Sequence, residues 1–429
     1  MKSPSVPNFL KEKRNRHVLE NIVSLSILQM ANYILPLLTL PYLVRVLGVE
    51  KYGLIIFSQA FVQFFIFFTD YGFDLTATRE ISIHRHDGDK VSRIYSAVMI
   101  VKLLILVVSL LMVILLVLLF SKFREHSTLY FFTFGWVVGH VLFPQWFFQG
   151  MEKMKYMALL NIFSKLVFTI LIFVFIKSAN DYLYQPLLLS LAFISSGLIA
   201  QYKVRKDFGV HFVMPGITAV KSQFYEGWHV FLSTMSISVY TISNTIILGL
   251  LTSNVYVGYF AVADKLIYAA KMLITPIKQA LFPMMSKKFN ESKDVGLKIA
   301  KKLLKIICVI TFSESMALLL FSGLIIKAVM GGEYPESILV LRIMSFLPFI
   351  LGINSVLGLQ VMLPLEYKKQ FSYIFITAGA LNTLLAFILV PLFKHIGIAV
   401  AVVVTEIFVA SAMYIFLKSK NIDLFKKLS

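Results

Sequence analysis

The chain has 429 residues, of which 58% are apolar, 15% charged and 14% aromatic, and its mean hydropathy is +0.81. Soluble domains average about 45–50% apolar and about 25% charged, so the composition excludes a cytosolic enzyme and a disordered chain. The formal net charge is +19, and the single cysteine, Cys308, excludes an internal disulfide and a multi-cysteine metal cluster.

A helix that crosses the hydrocarbon layer needs about 20 mostly apolar residues. By that rule the sequence predicts twelve spans. They fall at about 18–43, 54–74, 96–120, 129–149, 156–176 and 184–201, then 227–251, 257–284, 303–326, 338–361, 371–393 and 396–417. The runs are continuous rather than alternating, which argues against a membrane barrel. The run after the basic, polar first 17 residues is too long for a signal-peptide core, and no small-residue cleavage site follows it. The first span is therefore expected to remain as an anchor.

The basic residues set the orientation. Loops on the side of both termini carry 27 Lys and Arg, and the opposite loops carry seven: Arg45, Lys51, Lys122, Arg124, Lys177, Lys327 and Lys394. The positive-inside rule then places both termini in the cytoplasm. The same count explains most of the basic charge without nucleic acid, because the cations are scattered over short loops rather than gathered on one domain.

The longest polar connection in the middle runs from Gln201 to Glu226 and divides the chain into six spans and six spans. The expected organisation is an amino-terminal lobe at 1–210, a cytoplasmic linker at 211–226 and a carboxy-terminal lobe at 227–429. A faint repeat supports it. Val46-Leu-Gly-Val-Glu-Lys-Tyr-Gly-Leu follows span 1, and Leu251-Thr-Ser-Asn-Val-Tyr-Val-Gly-Tyr follows span 7, an offset of 205. Parallel repeats of this kind place a substrate site between the halves.

An ionisable residue at mid-membrane costs about 2.5–3.5 kcal/mol on insertion scales and usually faces a bundle interior or a wet cavity. Lys165 is central in span 5, Glu314 in span 9 and Glu406 in span 12. Span 8 carries Asp264, Tyr268, Lys271, Thr275 and Lys278 at steps of four, three, four and three, which form one helical face. Pro276 and Pro283 are expected to loosen that helix. Span 2 adds Gln59, Gln63, Asp70 and Asp74, and span 1 adds Gln29, Asn32 and Pro36.

Plainer readings compete with a cargo site. Lys102 and Arg342 lie close enough to span ends to snorkel to the headgroups, and Lys305 reads as an interfacial anchor. An Asp264–Lys271 pair, or Glu314 and Glu406 paired with lysines, could serve only to fix helix packing. The span 8 stripe weighs against that, since three charges and two polar groups on one face need water or partners. The resulting lumen is cationic, and Lys165, Lys271 and Lys278 are suited to an anionic cargo such as a phosphate group. The sequence contains no Walker lysine loop, His-Glu-x-x-His site or Gly-x-Ser-x-Gly elbow, and no loop exceeds about 25 residues. Transport is favoured over catalysis.

Several stretches resemble a known family. Pro41-Tyr-Leu-Val-Arg-Val-Leu-Gly-Val-Glu-Lys-Tyr-Gly and Asp70-Tyr-Gly-Phe-Asp-Leu-Thr-Ala-Thr-Arg-Glu-Ile-Ser are similar to the amino-terminal signature of Wzx-type O-antigen flippases. Pro144-Gln-Trp-Phe-Phe-Gln-Gly-Met-Glu-Lys-Met-Lys-Tyr resembles the motif after that family's fourth helix. Ser243-Asn-Thr-Ile-Ile-Leu-Gly, Val257-Gly-Tyr-Phe-Ala-Val-Ala-Asp-Lys and Gly352-Ile-Asn-Ser-Val-Leu-Gly-Leu-Gln resemble its carboxy-terminal half. Leu365-Glu-Tyr-Lys-Lys departs from the pattern, which has a small residue or glycine before the tyrosine.

The resemblance implies an all-helical membrane protein with the fold of the multidrug/oligosaccharidyl-lipid/polysaccharide exporters, two six-helix lobes around a central cavity. It implies an undecaprenyl-diphosphate-linked oligosaccharide as cargo, moved from the cytoplasmic to the periplasmic leaflet of the bacterial inner membrane. A monomer is expected, in contact with membrane lipids and with the polymerase and chain-length regulator of the same pathway. Lys165, Lys271 and Lys278 are the expected diphosphate ligands. The family's basic signature positions add Arg45 and Arg79 as gate or headgroup contacts. Asp70, Asp74, Asp264 and Glu314 are candidates for releasing the lysines or carrying a coupling proton or sodium ion, with no other cofactor. The rivals are a flippase for another lipid-linked sugar such as the peptidoglycan precursor, a multidrug antiporter on the same fold, and a membrane scaffold or polymerase.

Overall fold

A computed structural model describes residues 13–424, without side chains at 13–26, Tyr33, His229, 232–241, Pro276, Ile277, Gln279 and Ala280. Lys2, Lys11, Lys426 and Lys427, counted above towards the inside bias, lie outside the described residues, as does the Pro276 side chain.

The described residues form helices and no strands. In the first part of the chain these are α1 (Lys13–Asp70), α2 (Thr76–His84), α3 (Gly88–Leu119), α4 (Ser127–Leu142), α5 (Gln145–Gly150), α6 (Met154–Phe175) and α7 (Tyr184–Phe208). There follow α8 (Ile217–Leu251), α9 (Asn254–Glu291), α10 (Lys293–Leu320), α11 (Ser322–Met330), α12 (Pro335–Met344), α13 (Leu347–Ser355) and α14 (Lys368–Ser419). Between α13 and α14, Val356–Met362 winds as a π-helix.

Among the described residues, eight helical stretches are long and apolar enough to cross a membrane. Two of them are double-length. The stretch Ile27–Asp70 breaks at Gly48, whose φ of 76° and ψ of 164° lie outside the helical region and suit a residue without Cβ. The stretch Lys368–Ser419 breaks at Lys394, three residues after Pro391. Both breaks fall where the sequence predicts the turn between two spans. A bilayer also explains the surface. On α3, Leu104, Val107, Val108, Leu111, Leu115 and Leu118 are all more than half exposed, and such a face is stable against lipid tails while the helix satisfies its own backbone groups.

The chain forms two compact units. One combines the described residues up to Thr39 with Ser58–Ser238, and the other combines Leu40–Phe57 with the chain from Val239 onward.

In the first unit, two of the family-like motifs pack on each other. Trp146, Phe147 and Phe148 of α5 are fully buried among Tyr95, Ile81, Met157 and Val204. The Thr78 hydroxyl of α2 donates to the Trp146 carbonyl at 3.1 Å. A Cβ on Gly150 would lie 2.7 Å from Ile81 Cβ, so the motif's last glycine lets α5 close on α2.

The second unit has its own core, with Met285, Leu304, Val361, Met362, Val409 and Met413 buried. The arm of α1 after its break runs against the end of α8 and the start of α9. A Cβ on Gly249 would meet the Phe57 ring at 2.1 Å, and one on Gly53 would meet the Asn254 carbonyl oxygen at 1.9 Å. Small residues let helix backbones approach this closely.

Candidate site: charged groups within the helical bundle

In the first unit, Asp70 ends α1 beside a lysine and a histidine. The Lys102 ammonium of α3 donates to Asp70 Oδ1 at 3.2 Å, and His140 Nδ1 of α4 lies 3.3 Å from the same oxygen. Lys102 is 2% exposed, so its ammonium is held by the carboxylate instead of reaching the headgroups. Asp74, on the turn after α1, interacts with Asp70, Lys102 and His140. The structure thus brings Asp70 and Asp74 into one cluster. His140 was missed in the sequence. The only signal for it was a histidine inside an otherwise apolar span.

Lys165 lies on α6, and its ammonium donates to the Asn32 side-chain oxygen on α1. A neutral amide does not cancel its charge. Asn32 and Lys165 are both polar residues at mid-span in the sequence, which is the signal that pairs them. Arg79 is exposed on α2.

In the second unit α9 is one helix from Asn254 to Glu291, through Pro283. Asp264, Lys271, Thr275 and Lys278 are all half-buried on it, and Tyr268 is 49% exposed. Asp264 interacts electrostatically with Lys271 and Lys265. Lys278 interacts electrostatically with Glu314 of α10 and Glu406 of α14, and with Lys271 as a like-charged neighbour. Glu406 is 8% exposed. Glu314 has no hydrogen-bond partner on either carboxylate oxygen among the described residues.

Two neutral residues complete this region. Asn354 Nδ2 of α13 donates to Glu406 Oε2 at 2.9 Å, and Gln360 Nε2 of the π-helix donates to the Lys278 carbonyl at 2.8 Å. Both stand in the Gly352-Ile-Asn-Ser-Val-Leu-Gly-Leu-Gln motif, and nothing in the sequence alone gives them a role. Arg45, on α1, is engaged elsewhere. Its guanidinium donates to the Ala328 carbonyl and, at 3.2 Å, to the Val329 carbonyl, so it caps the last turn of α11.

Half-buried ammonium groups on apolar helices can bind an anion, and a neighbouring carboxylate can compete with it.

Comparison with known proteins gives a consistent picture. The family described as polysaccharide biosynthesis protein matches residues 18–289. A candidate O-antigen transporter of Escherichia coli strain K12 is 37% identical over 402 residues, which is 94% of this chain and 97% of that one. Another candidate O-antigen transporter, from Shigella dysenteriae, is 31% identical over 92% of this chain and 98% of its own. Among solved structures, an inward-facing multidrug resistance MATE family transporter of the MOP superfamily superposes with a TM-score of 0.71 at 16% identity. It covers 95% of this chain and 100% of its own. The lipid II flippase MurJ, in an inward closed conformation, gives 0.70 at 14% identity, covering 93% and 87%. These likenesses show the fold. The relatives are transporters and not enzymes.

Proposed function

Because the chain belongs to the polysaccharide biosynthesis protein family and is a multi-pass membrane protein, we propose that it flips undecaprenyl-diphosphate-linked O-antigen repeat units. The direction is from the cytoplasmic to the periplasmic leaflet of the bacterial inner membrane. In this reading the chain crosses twelve times with both termini in the cytoplasm. The two breaks, at Gly48 and Lys394, each divide one long helix into two passes. The two six-helix repeats, 1–210 and 227–429, work by alternating access, and Lys165, Lys271 and Lys278 hold the diphosphate.

One observation carries the proposal. Lys165 is a half-buried ammonium at mid-span whose hydrogen bond, among the described residues, is to a neutral amide. A charge kept at membrane depth without neutralisation is costly, and an anionic cargo repays that cost. A diphosphate offers about two negative charges while its polyprenyl tail stays in lipid. Moving one charge through 100 mV is worth about 2.3 kcal/mol, so the potential favours export of an anion from a negative interior. Arg45 and Arg79 act at gates or headgroups. Asp70, Asp74, Asp264 and Glu314 release the lysines or carry a coupling proton or sodium ion. The cationic residues also weigh against the multidrug antiporter, whose cationic drugs call for an acidic cavity.

Deletion of the gene in its host tests this. Accumulation of an intact repeat unit on undecaprenyl diphosphate, with loss of surface polysaccharide, is the expected result. Normal surface polysaccharide with altered drug sensitivity would replace the flippase by the antiporter.

A further inference from the structure

Several helical elements of the second unit meet around Lys278. Its ammonium lies 3.5 Å from the Leu351 carbonyl oxygen of α13. Its own carbonyl accepts the Gln360 amide, which pins α9 to the π-helix at this residue. Asn354, three positions after Leu351 and so on the same face of α13, donates to the Glu406 carboxylate at 2.9 Å and the Glu406 carbonyl at 3.2 Å. Both partners are acceptors, so they set which way the amide points. Beside them, the Ser315 hydroxyl of α10 accepts the Phe349 backbone N–H at 3.2 Å. That bond holds α10 against α13 one residue from Glu314.

The Lys278 ammonium thus interacts electrostatically with two carboxylates on elements joined by these bonds, and one of them, Glu314, has no hydrogen-bond partner among the described residues. A single cation cannot satisfy both carboxylates and a diphosphate. In surroundings less polar than water, each anion it leaves is penalised more than in solution. Cargo and carboxylates then compete for the same ammonium, and each weakens the other by the same factor.

We propose that Glu406, oriented by Asn354, together with Glu314, is an internal competitor that takes Lys278 back from the cargo diphosphate and so governs release. Glu406 and Asn354 are positioning residues, acting through Lys278. The proposal rests on the flippase reading and adds to it how the diphosphate is let go.

The test uses the purified full chain with sugar-free undecaprenyl diphosphate as the probe, and flipping of the same lipid in proteoliposomes. Glu406→Gln, which still accepts from Asn354, is expected to bind the probe about tenfold more tightly, within the usual range for coupling between two sites. Its flipping should show a lower KM together with a lower kcat. Glu314→Gln, which loses no observed hydrogen bond, should shift binding in the same direction. Adding Lys278→Ala should abolish both gains. A purely structural role would weaken binding, not strengthen it. Unchanged or weaker binding in both glutamate variants, or a gain that survives Lys278→Ala, overturns the proposal and leaves the flippase reading intact. A wild-type chain that does not bind the probe overturns both.

Discussion

Gly53 and Gly258 stand 205 positions apart, the offset of the sequence repeat, and they pack against each other through equivalent contacts. A Cβ on Gly53 would meet the Asn254 carbonyl oxygen at 1.9 Å and the Gly258 nitrogen at 2.6 Å. A Cβ on Gly258 would meet the Val49 carbonyl oxygen at 2.3 Å. Val49 and Asn254 are themselves 205 apart. The contact is thus formed twice over by corresponding residues of the two repeats.

Any side chain at either glycine must push the same two helices apart. Gly53→Leu and Gly258→Leu should each destabilise the protein by about 1–3 kcal/mol, the usual cost of overpacking. Because they disrupt one contact, the double variant should cost clearly less than the sum of the single ones. Thermal unfolding of the purified protein measures this, and strict additivity would show that the two glycines act independently.

The Asp70–Lys102 pair gives a second prediction. Removing one member of a buried pair strands the other charge, which costs about 3–5 kcal/mol, while removing both is often close to neutral. Lys102→Met should lower stability markedly, with His140 recovering a part, since Asp70 is still 20% exposed. Asp70→Asn combined with Lys102→Met should restore most of the loss. A double-mutant cycle on unfolding midpoints decides it. A double variant as unstable as Lys102→Met alone would mean that the lysine acts by packing.

The proposed cargo site predicts a different pattern. Lys165→Ala and Lys271→Ala should reduce flipping of the lipid-linked repeat unit while leaving the amount of protein in the membrane normal. Surface polysaccharide and protein level, read side by side in the complemented deletion strain, provide the check. Unchanged flipping in both variants would remove the lysines from the site.

A pH dependence follows from Glu80 on α2. Its carboxylate accepts from Gln223 Nε2 at 2.6 Å, and burial and the neighbouring Glu226 push its pKa above the ordinary 4.5. The folded state therefore binds this proton more tightly than the unfolded state does. The stabilisation is fully present below 4.5 and is lost as pH rises through the elevated folded value. Glu80→Gln should flatten this part of the stability profile and raise stability at neutral pH. Melting temperatures taken across the acidic to neutral range test it, and a variant with an unchanged slope would assign the dependence to another group.

Composition and periodicity determined much of this protein by themselves. Apolar runs of about 20 residues have one stable solution in lipid, a helix that satisfies its own backbone. Long apolar helices, with turns close to the breaks at Gly48 and Lys394, could therefore be expected without coordinates. The stripe on α9 was legible for the same reason, since helical spacing alone puts Asp264, Lys271 and Lys278 on one face. What one helix presents says nothing about which helix receives it. Only tertiary packing showed that Lys102 turns inward to Asp70, that Arg45 caps α11, and that Asn354 holds the Glu406 carboxylate. Each of these depends on contacts between residues 32 to 284 positions apart, and the direction of a long side chain is decided by the partner it finds there.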